Sequence, residues 1–384
     1  MKMEYNEILV RYGEIFLKSE PVMQLFERRL IENIKSRIIK TGIDFSIYQK
    51  RGRIFIKTKK IAKVCKILKK VFGIVSFSPC LHLETSEKRE ILEFFKQNYN
   101  KIVGKDEKFA VEVKRVGKHN YSSQELAREI GSVIKRKVDL ANPDKRIFVE
   151  VRENDTYIYF KKIKGLGGLP VGVSGKVISL ISGGIDSPIA SLLAMKRGCN
   201  VIFVHFHSFP LVSKKSIEKT KKLLQVLREY QDKIKLYLIP FANIQLTIKA
   251  MIPTKYRIIF YRRFMLRICE EIARKEGAKA LITGESLAQV SSQTLDNIAV
   301  IEEVTQIPIL RPLIGMDKLE IIKIAKKIGT YEISVQPQED CCTLFTPKHP
   351  TAQARIEIVK ELERRIKIKK LMKDAIDKAE IQEI

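Results

Sequence analysis

Residues 177–187 read VISLISGGIDS, a short apolar run rich in β-branched residues that breaks into two adjacent glycines. The run predicts a strand. The residues after the glycines predict a helix, with Pro188 at the first helical position, apolar residues at helical spacing and Gly198 just past the end. Glycines at such a turn let the backbone approach a ligand closely, and the helix behind them offers unpaired N–H groups and the positive end of its dipole. The turn therefore reads as an anion site, most naturally for phosphate, built from Ser182, Gly183, Gly184, Asp186 and Ser187. An ordinary turn that merely needs glycine is the plain alternative, against which the serines and the aspartate weigh. Neither G-x-x-x-x-G-K-[ST] nor a dinucleotide fingerprint is present.

Around this turn strands and helices alternate. VISLI, NVIFVHF, KIKLYLIPF and KALITGES read as strands, with helices around 188–197, 214–230 and 255–276 between them. Such alternation predicts an α/β domain with a parallel sheet and helices on both faces, whose ligands bind at the carboxyl ends of the strands. Leu180 and Ile181 close the first strand there, and His205 and Phe206 the second, where an apolar edge and backbone groups suit a base. Spacing alone favours a buried structural role for His205. Four arginines, Arg257, Arg262, Arg263 and Arg267, fall among apolar residues of one helical stretch, so at least one must leave the solvent face. Aliphatic snorkelling accounts for most of them, leaving one or two to reach phosphates. The Ser-, Gln- and Thr-rich run GESLAQVSSQTLDN, 284–297, comes directly after a strand and reads as a loop lining the nucleotide.

The first half is organised differently. Strand 7–12, helix 22–40 and strands near 45–48 and 53–57 make a small α+β unit, residues 1–60. Helices at 61–72, 87–99 and 122–138 and strands at 109–117, 146–153 and 156–163 make a second, 61–165. The cap expected for the helix near 122 has a Ser123-to-Leu126 register, with Glu125 one place off. Next come the glycine-rich joint 165–172 and the third domain, 173–384, which ends in a basic helix over 351–373.

A net charge of +28, from 72 basic against 44 acidic residues, calls for a polyanionic partner, and nucleic acid fits better than membrane. No apolar run approaches the ~18–20 residues of a membrane span, and the amino terminus has no signal-peptide layout, so a cytoplasmic protein is expected. Six cysteines without any C-x-x-C exclude a disulfide scaffold or zinc ribbon. Cys65, Cys199 and Cys269 lie in apolar stretches and are expected to be inert.

SGGIDS resembles the SGGxDS loop of the PP-loop ATP pyrophosphatases, which cleave ATP between the α and β phosphates. FAVEVKRVGKHNYSSQE (109–125) and VRENDTYIYF (151–160) are similar to a THUMP RNA-binding domain. That segment supplies a basic set, Lys114, Arg115, Lys118, Arg128, Lys135 and Arg136, suited to phosphate contacts. Together with GESLAQVSSQT and EDCCTLFTPKHP, these motifs make the chain resemble, over essentially its whole length, the tRNA 4-thiouridine synthetases, ThiI, in a form without a rhodanese domain.

That resemblance implies ferredoxin-like, THUMP and PP-loop domains in order. It also implies an enzyme that adenylates uridine 8 of tRNA, releases pyrophosphate and replaces O4 with persulfide-derived sulfur. ATP contacts carry over to Leu180, Ile181, His205, Phe206, Arg262, Gly284 and Gln293, and Asp186 becomes the loop carboxylate needed for adenylation, with Mg2+ arriving with ATP. A cysteine desulfurase is the implied persulfide donor, and a link to thiamine thiazole sulfur through a sulfur-carrier protein is implied as well. A homodimer is compatible with one tRNA bridging two distant sites. Cys341 falls at the family's PP-loop-domain cysteine, with Cys342 as an extra neighbour. A disulfide between adjacent residues is strained, because their Cα atoms lie ~3.8 Å apart, under the usual ~4.4 Å minimum, so a persulfide is the more natural use. Two rivals stay open at this level: another PP-loop tRNA-modifying adenylating enzyme, and a THUMP RNA-binding protein without thiolation activity.

Overall fold

The computed structural model describes residues 4–50, 52–337, 345 and 350–384, and divides into two units, Met1–Leu169 and Pro170–Ile384. The first unit has strands β1 (Glu7–Tyr12), β2 (Ser46–Lys50), β3 (Arg53–Lys57), β4 (Ile74–Leu83), β5 (Phe109–Val116), β6 (Lys145–Arg152), β7 (Asp155–Tyr159) and β8 (Ile163–Lys164). Its helices are α1 (Glu20–Ile39), α2 (Ile61–Leu68), α3 (Lys88–Ile102) and α4 (Ser123–Val133). Among the described residues the strands form one sheet, ordered β2-β3-β1-β4-β7-β6-β5, with β8 on β4. The link is β4, a strand not foreseen from the sequence: ten residues long, it pairs with β1 on one side and β7 on the other.

Alternation along the strands separates two faces. Ile8 and Val10 point to the helical side, where α1 and α2 bury Leu30, Ile34, Val64 and Leu68 against them. On the same side α3 and α4 bury Phe95, Leu126 and Ile130 against Ile147 and Val149. Leu9, Phe55, Cys80, Tyr157 and Tyr159 form a separate cluster on the other face. The cap of α4 differs by one residue from the sequence expectation: Ser122 is the N-cap and makes a full capping box with Glu125. The helix also stops at Val133, because Ile134 is already extended.

The second unit contains β9 (Lys176–Leu180), β10 (Asn200–His207), β11 (Lys235–Pro240), β12 (Leu281–Ile282), β13 (Ile309–Leu310) and β14 (Glu380–Glu383). Its helices are α5 (Asp186–Lys196), α6 (Lys215–Leu227), α7 (Ala242–Met251), α8 (Arg257–Glu276), α9 (Leu295–Glu302), α10 (Lys318–Ile328), α11 (Tyr331–Ser334), α12 (Ile356–Glu363) and α13 (Ile368–Asp377). The sheet order is β13-β12-β9-β10-β11-β14, parallel except for the antiparallel edge strand β14. The expected parallel sheet with helices on both faces is thus present, closed at one edge by a strand absent from the sequence reading. Helix α5 starts at Asp186, so Pro188 is its third residue and still within the turn that tolerates a missing N–H. The single basic helix expected over 351–373 is two helices, α12 and α13.

Candidate functional site

A cavity of about 240 Å³ opens at the carboxyl ends of β9, β10 and β12. Leu180, Ile181, Ser182, Gly184, Asp186, Ser187, His205, Phe206, Arg262, Gly284 and Gln293 all line it, so the structure brings these sequence candidates together. Gly183 is buried and outside that lining. The turn is held from within. Ser187 Oγ accepts from the Ser182 backbone N–H at 2.9 Å, Ser182 Oγ accepts from the Gly184 N–H at 3.3 Å, and the two hydroxyls lie 3.2 Å apart. No side chain caps the amino end of α5, so its first N–H groups remain for an anion.

Gly284 matters for a steric reason. A Cβ there would stand 2.8 Å from the Ser187 backbone nitrogen and 2.9 Å from its Cα, closer than packed atoms allow. The loop after β12 can therefore press against the amino end of α5 only as glycine. From that loop Gln289 donates to Asp186 Oδ2 at 3.2 Å, and Lys318 at the start of α10 pairs with Asp186 Oδ1 at 2.7 Å. Lys318 escaped the sequence reading. The Asp317-to-Glu320 capping box was the available signal, since it fixes where α10 begins and hence where Lys318 stands.

The arginines divide by partner. Arg262 Nη1 and Arg311 Nε both donate at 2.6 Å to the carboxylate of Glu285, whose Oε2 also accepts from Thr283 at 2.9 Å. Burial pushes the Glu285 carboxyl upward, but the two guanidiniums outweigh it and hold the group below its ordinary value. Arg263, 1% exposed, does not snorkel as expected: it and Arg267 clamp Glu363 of α12 at 2.7–2.9 Å, and Arg263 also donates to the Val300 carbonyl. Arg257 donates to the Lys249 carbonyl at 3.1 Å. Of the four, only Arg262 lines the cavity.

His205 combines the two roles weighed for it, lying buried and at the cavity wall. Its Nδ1 sits 3.0 Å from the Ile181 carbonyl oxygen, an acceptor, so Nδ1 carries the proton. Burial lowers the imidazole to about 4, against the opposing pull of that hydrogen bond, and the ring is neutral at pH 7. Cys65, Cys199 and Cys269 are buried as their apolar stretches suggest, as is Cys80, and burial raises the Cys65 thiol to about 11. Cys341 and Cys342 lie outside the described residues.

The six basic candidates of the first unit are spread out. Lys114 is an exposed residue of β5, Lys118 sits in the loop after it, and Arg128 lies mid-way along α4. Lys135 and Arg136 fall beyond α4, next to Lys137, whose carbonyl accepts from the Phe109 N–H at the opposite end of β5. Eight residues of strand put that end roughly 25 Å from Lys118. Arg115 donates to the His119 carbonyl at 2.8 Å, and Arg136 stacks over Tyr99 while donating to Gly104 and Asn100.

Residues 172–368 match the family described as thiamine biosynthesis protein (ThiI), residues 7–78 the ThiI ferredoxin-like domain and residues 88–161 the THUMP domain. A probable tRNA sulfurtransferase of Halothermothrix orenii is 44% identical, covering 99% of each chain. One from Brevibacillus brevis is 40% identical over 100% of this chain and 97% of its own. Among solved structures, a 4-thiouridine synthetase in complex with RNA and ATP is similar at 37% identity and a TM-score of 0.89, covering 99% of this chain and 100% of that one.

Proposed function

The chain belongs to the ThiI family, and from that premise we propose that it is an ATP-dependent tRNA sulfurtransferase that converts uridine 8 to 4-thiouridine. The carrying observation is the cavity itself: an uncapped helix end, a glycine turn and Asp186 at one side, apolar Phe206, Met265 and Leu266 at another. A base fits the apolar part, and the triphosphate extends toward the amino end of α5. Attack by the uridine O4 on the α-phosphorus forms the O4–phosphorus bond and breaks the bond to the β-phosphate oxygen, releasing pyrophosphate and leaving an adenylated base. Arg262, fixed by Glu285, and Lys318, fixed by Asp186, are held donors for the charge that develops, so little reorganisation is needed. Gly284 keeps the loop close enough for Gln289 and Gln293 to face the same space.

Magnesium would be held by the triphosphate and the Asp186 carboxylate, a hard oxygen donor at the cavity wall, and would neutralise phosphate charge. Among the described residues no group of three or more His, Cys, Asp or Glu could hold a metal independently of the nucleotide. Sulfur then comes from a persulfide on Cys341, loaded by a cysteine desulfurase: the persulfide's outer sulfur attacks C4, AMP leaves, an external thiol attacks the Cys341 sulfur and breaks the S–S bond to release 4-thiouridine, and a second thiol frees Cys341 from the mixed disulfide so formed. The same persulfide serves a thiamine sulfur-carrier protein. No described helix is long and apolar enough to cross a membrane.

The test separates the two half-reactions. Cys341→Ala should release pyrophosphate from ATP with unmodified tRNA, yet yield no 4-thiouridine from a persulfide donor, read by absorbance in the near ultraviolet. Full thiolation by that variant, with loss only in Cys342→Ala, would reverse the assignment of the pair.

A further inference from the structure

The loop after β12 makes a tight turn that its sequence does not favour. Ala288 has φ 61°, in the left-handed region that glycine takes most readily. Two backbone bonds hold it there: the Ala288 N–H donates to the Gln293 carbonyl at 3.0 Å, and the Gln289 N–H to the Ser286 carbonyl at 3.3 Å. The turn carries Gln289 to Asp186, where its side-chain amide donates to Oδ2 while Lys318 takes Oδ1. Gln289 is exposed and is not among the residues that line the cavity, so it reaches the carboxylate from the rim.

That contact fixes which way the amide points. A carboxylate paired with a lysine only accepts hydrogen bonds, so Nε2 faces Asp186 and Oε1 is turned away from it. Among the described residues no donor meets that oxygen. The rim around it is apolar. Leu287 and Val290 stand on either side of Gln289 in the loop, Leu319 follows Lys318, and Ile314 accepts from the Leu287 N–H at 3.2 Å; all four are exposed. An acceptor framed by exposed apolar side chains suits the edge of a flat ring that has one N–H to satisfy.

We infer that Gln289 reads the target base: its Oε1 accepts from N3–H of the uracil ring whose O4 attacks the nucleotide. The inference rests on the function proposed above. With ATP in the cavity and its phosphates at the amino end of α5, the second substrate enters from the open side of Asp186, where Gln289 stands. N3 adjoins the carbon that bears O4, so an acceptor beside Asp186 meets N3–H when O4 faces the α-phosphate. The hydrogen bond also pushes electron density toward O4, the attacking atom. Cytosine presents a bare N3 and an amino group at the same edge, which leaves Oε1 facing a lone pair.

A tRNA that already carries 4-thiouridine at position 8 is its own probe, because near-ultraviolet light couples the thiocarbonyl to the groups it touches. Irradiated on the full chain and digested with trypsin, it should mark the peptide from Ala280 to Lys318, with fragmentation placing the label within 287–290. Gln289→Met keeps the length of the side chain and removes its hydrogen-bonding end. In that variant kcat/KM for unmodified tRNA should fall on the order of tenfold, while ATP affinity stays within about twofold. A label confined to other peptides overturns the inference. So does an equal loss of ATP affinity in Gln289→Met, the result expected of a residue that only holds Asp186. In either case the proposed function stands if the parent makes 4-thiouridine. A parent that makes none from unmodified tRNA, ATP and a persulfide donor defeats both.

Discussion

Charged side chains are used in two opposite ways in this chain. Around the cavity the cations are held: Lys318 by Asp186, Arg262 by Glu285, Arg263 and Arg267 by Glu363. On and around α2, Lys57, Lys59, Lys60, Lys63, Lys66 and Lys69 are exposed and have no salt bridge among the described residues. In the proposed function the cavity cations meet phosphate, and the lysines around α2 are charge without a fixed partner. Chemistry at one phosphorus needs donors fixed before the substrate arrives, and a carboxylate partner supplies that fixity at the cost of some net charge.

The sharpest way to break this contrast is Asp186→Ala. It removes the loop carboxylate and frees Lys318, so pyrophosphate release should fall on the order of a thousandfold while tRNA affinity stays within about twofold. Equal losses in both would mean that the two regions are not separable.

A smaller effect is expected at Glu363, which sits behind the cavity wall. Removing it leaves Arg263 buried beside only Glu303 and the Val300 carbonyl, and Glu363→Ala should cost about 3 kcal/mol in denaturant unfolding. The direction of the shift sets the sign of the pH dependence. Burial raises the Glu363 carboxyl, the two arginines override it, and the group is held down to about 2 from an ordinary 4.5. The stabilisation is therefore complete above pH ~4.5 and is lost as pH falls toward 2. Wild type should lose stability over that window more steeply than Glu363→Gln; parallel curves would show that the clamp contributes nothing.

How much of this was legible in sequence depends on distance along the chain. The turn at Ser182 to Ser187 could be read because strand, glycines and helix are consecutive. The ion pairs could not: Lys318 meets Asp186 across 132 residues, and Arg263 meets Glu363 across 100. Composition placed four arginines near apolar residues, but without the fold the default explanation was snorkelling, and the true one was a carboxylate from another helix. The cap of α4 slipped by one place because Ser122 and Ser123 are equivalent in composition, and only backbone geometry tells the N-cap from the first helical residue. β4 was missed because it carries Pro79 and alternates weakly, yet it is the strand that makes one sheet of two modules.

The central claim is that the second unit cleaves ATP between the α and β phosphates to activate a tRNA base. ATP labelled at the α-phosphate, incubated with the protein, a persulfide donor and unmodified tRNA, tests it in one assay. The account predicts label in AMP, in a one-to-one ratio with 4-thiouridine and only when tRNA is present. Label in ADP, or AMP formed at the same rate without tRNA, would contradict it.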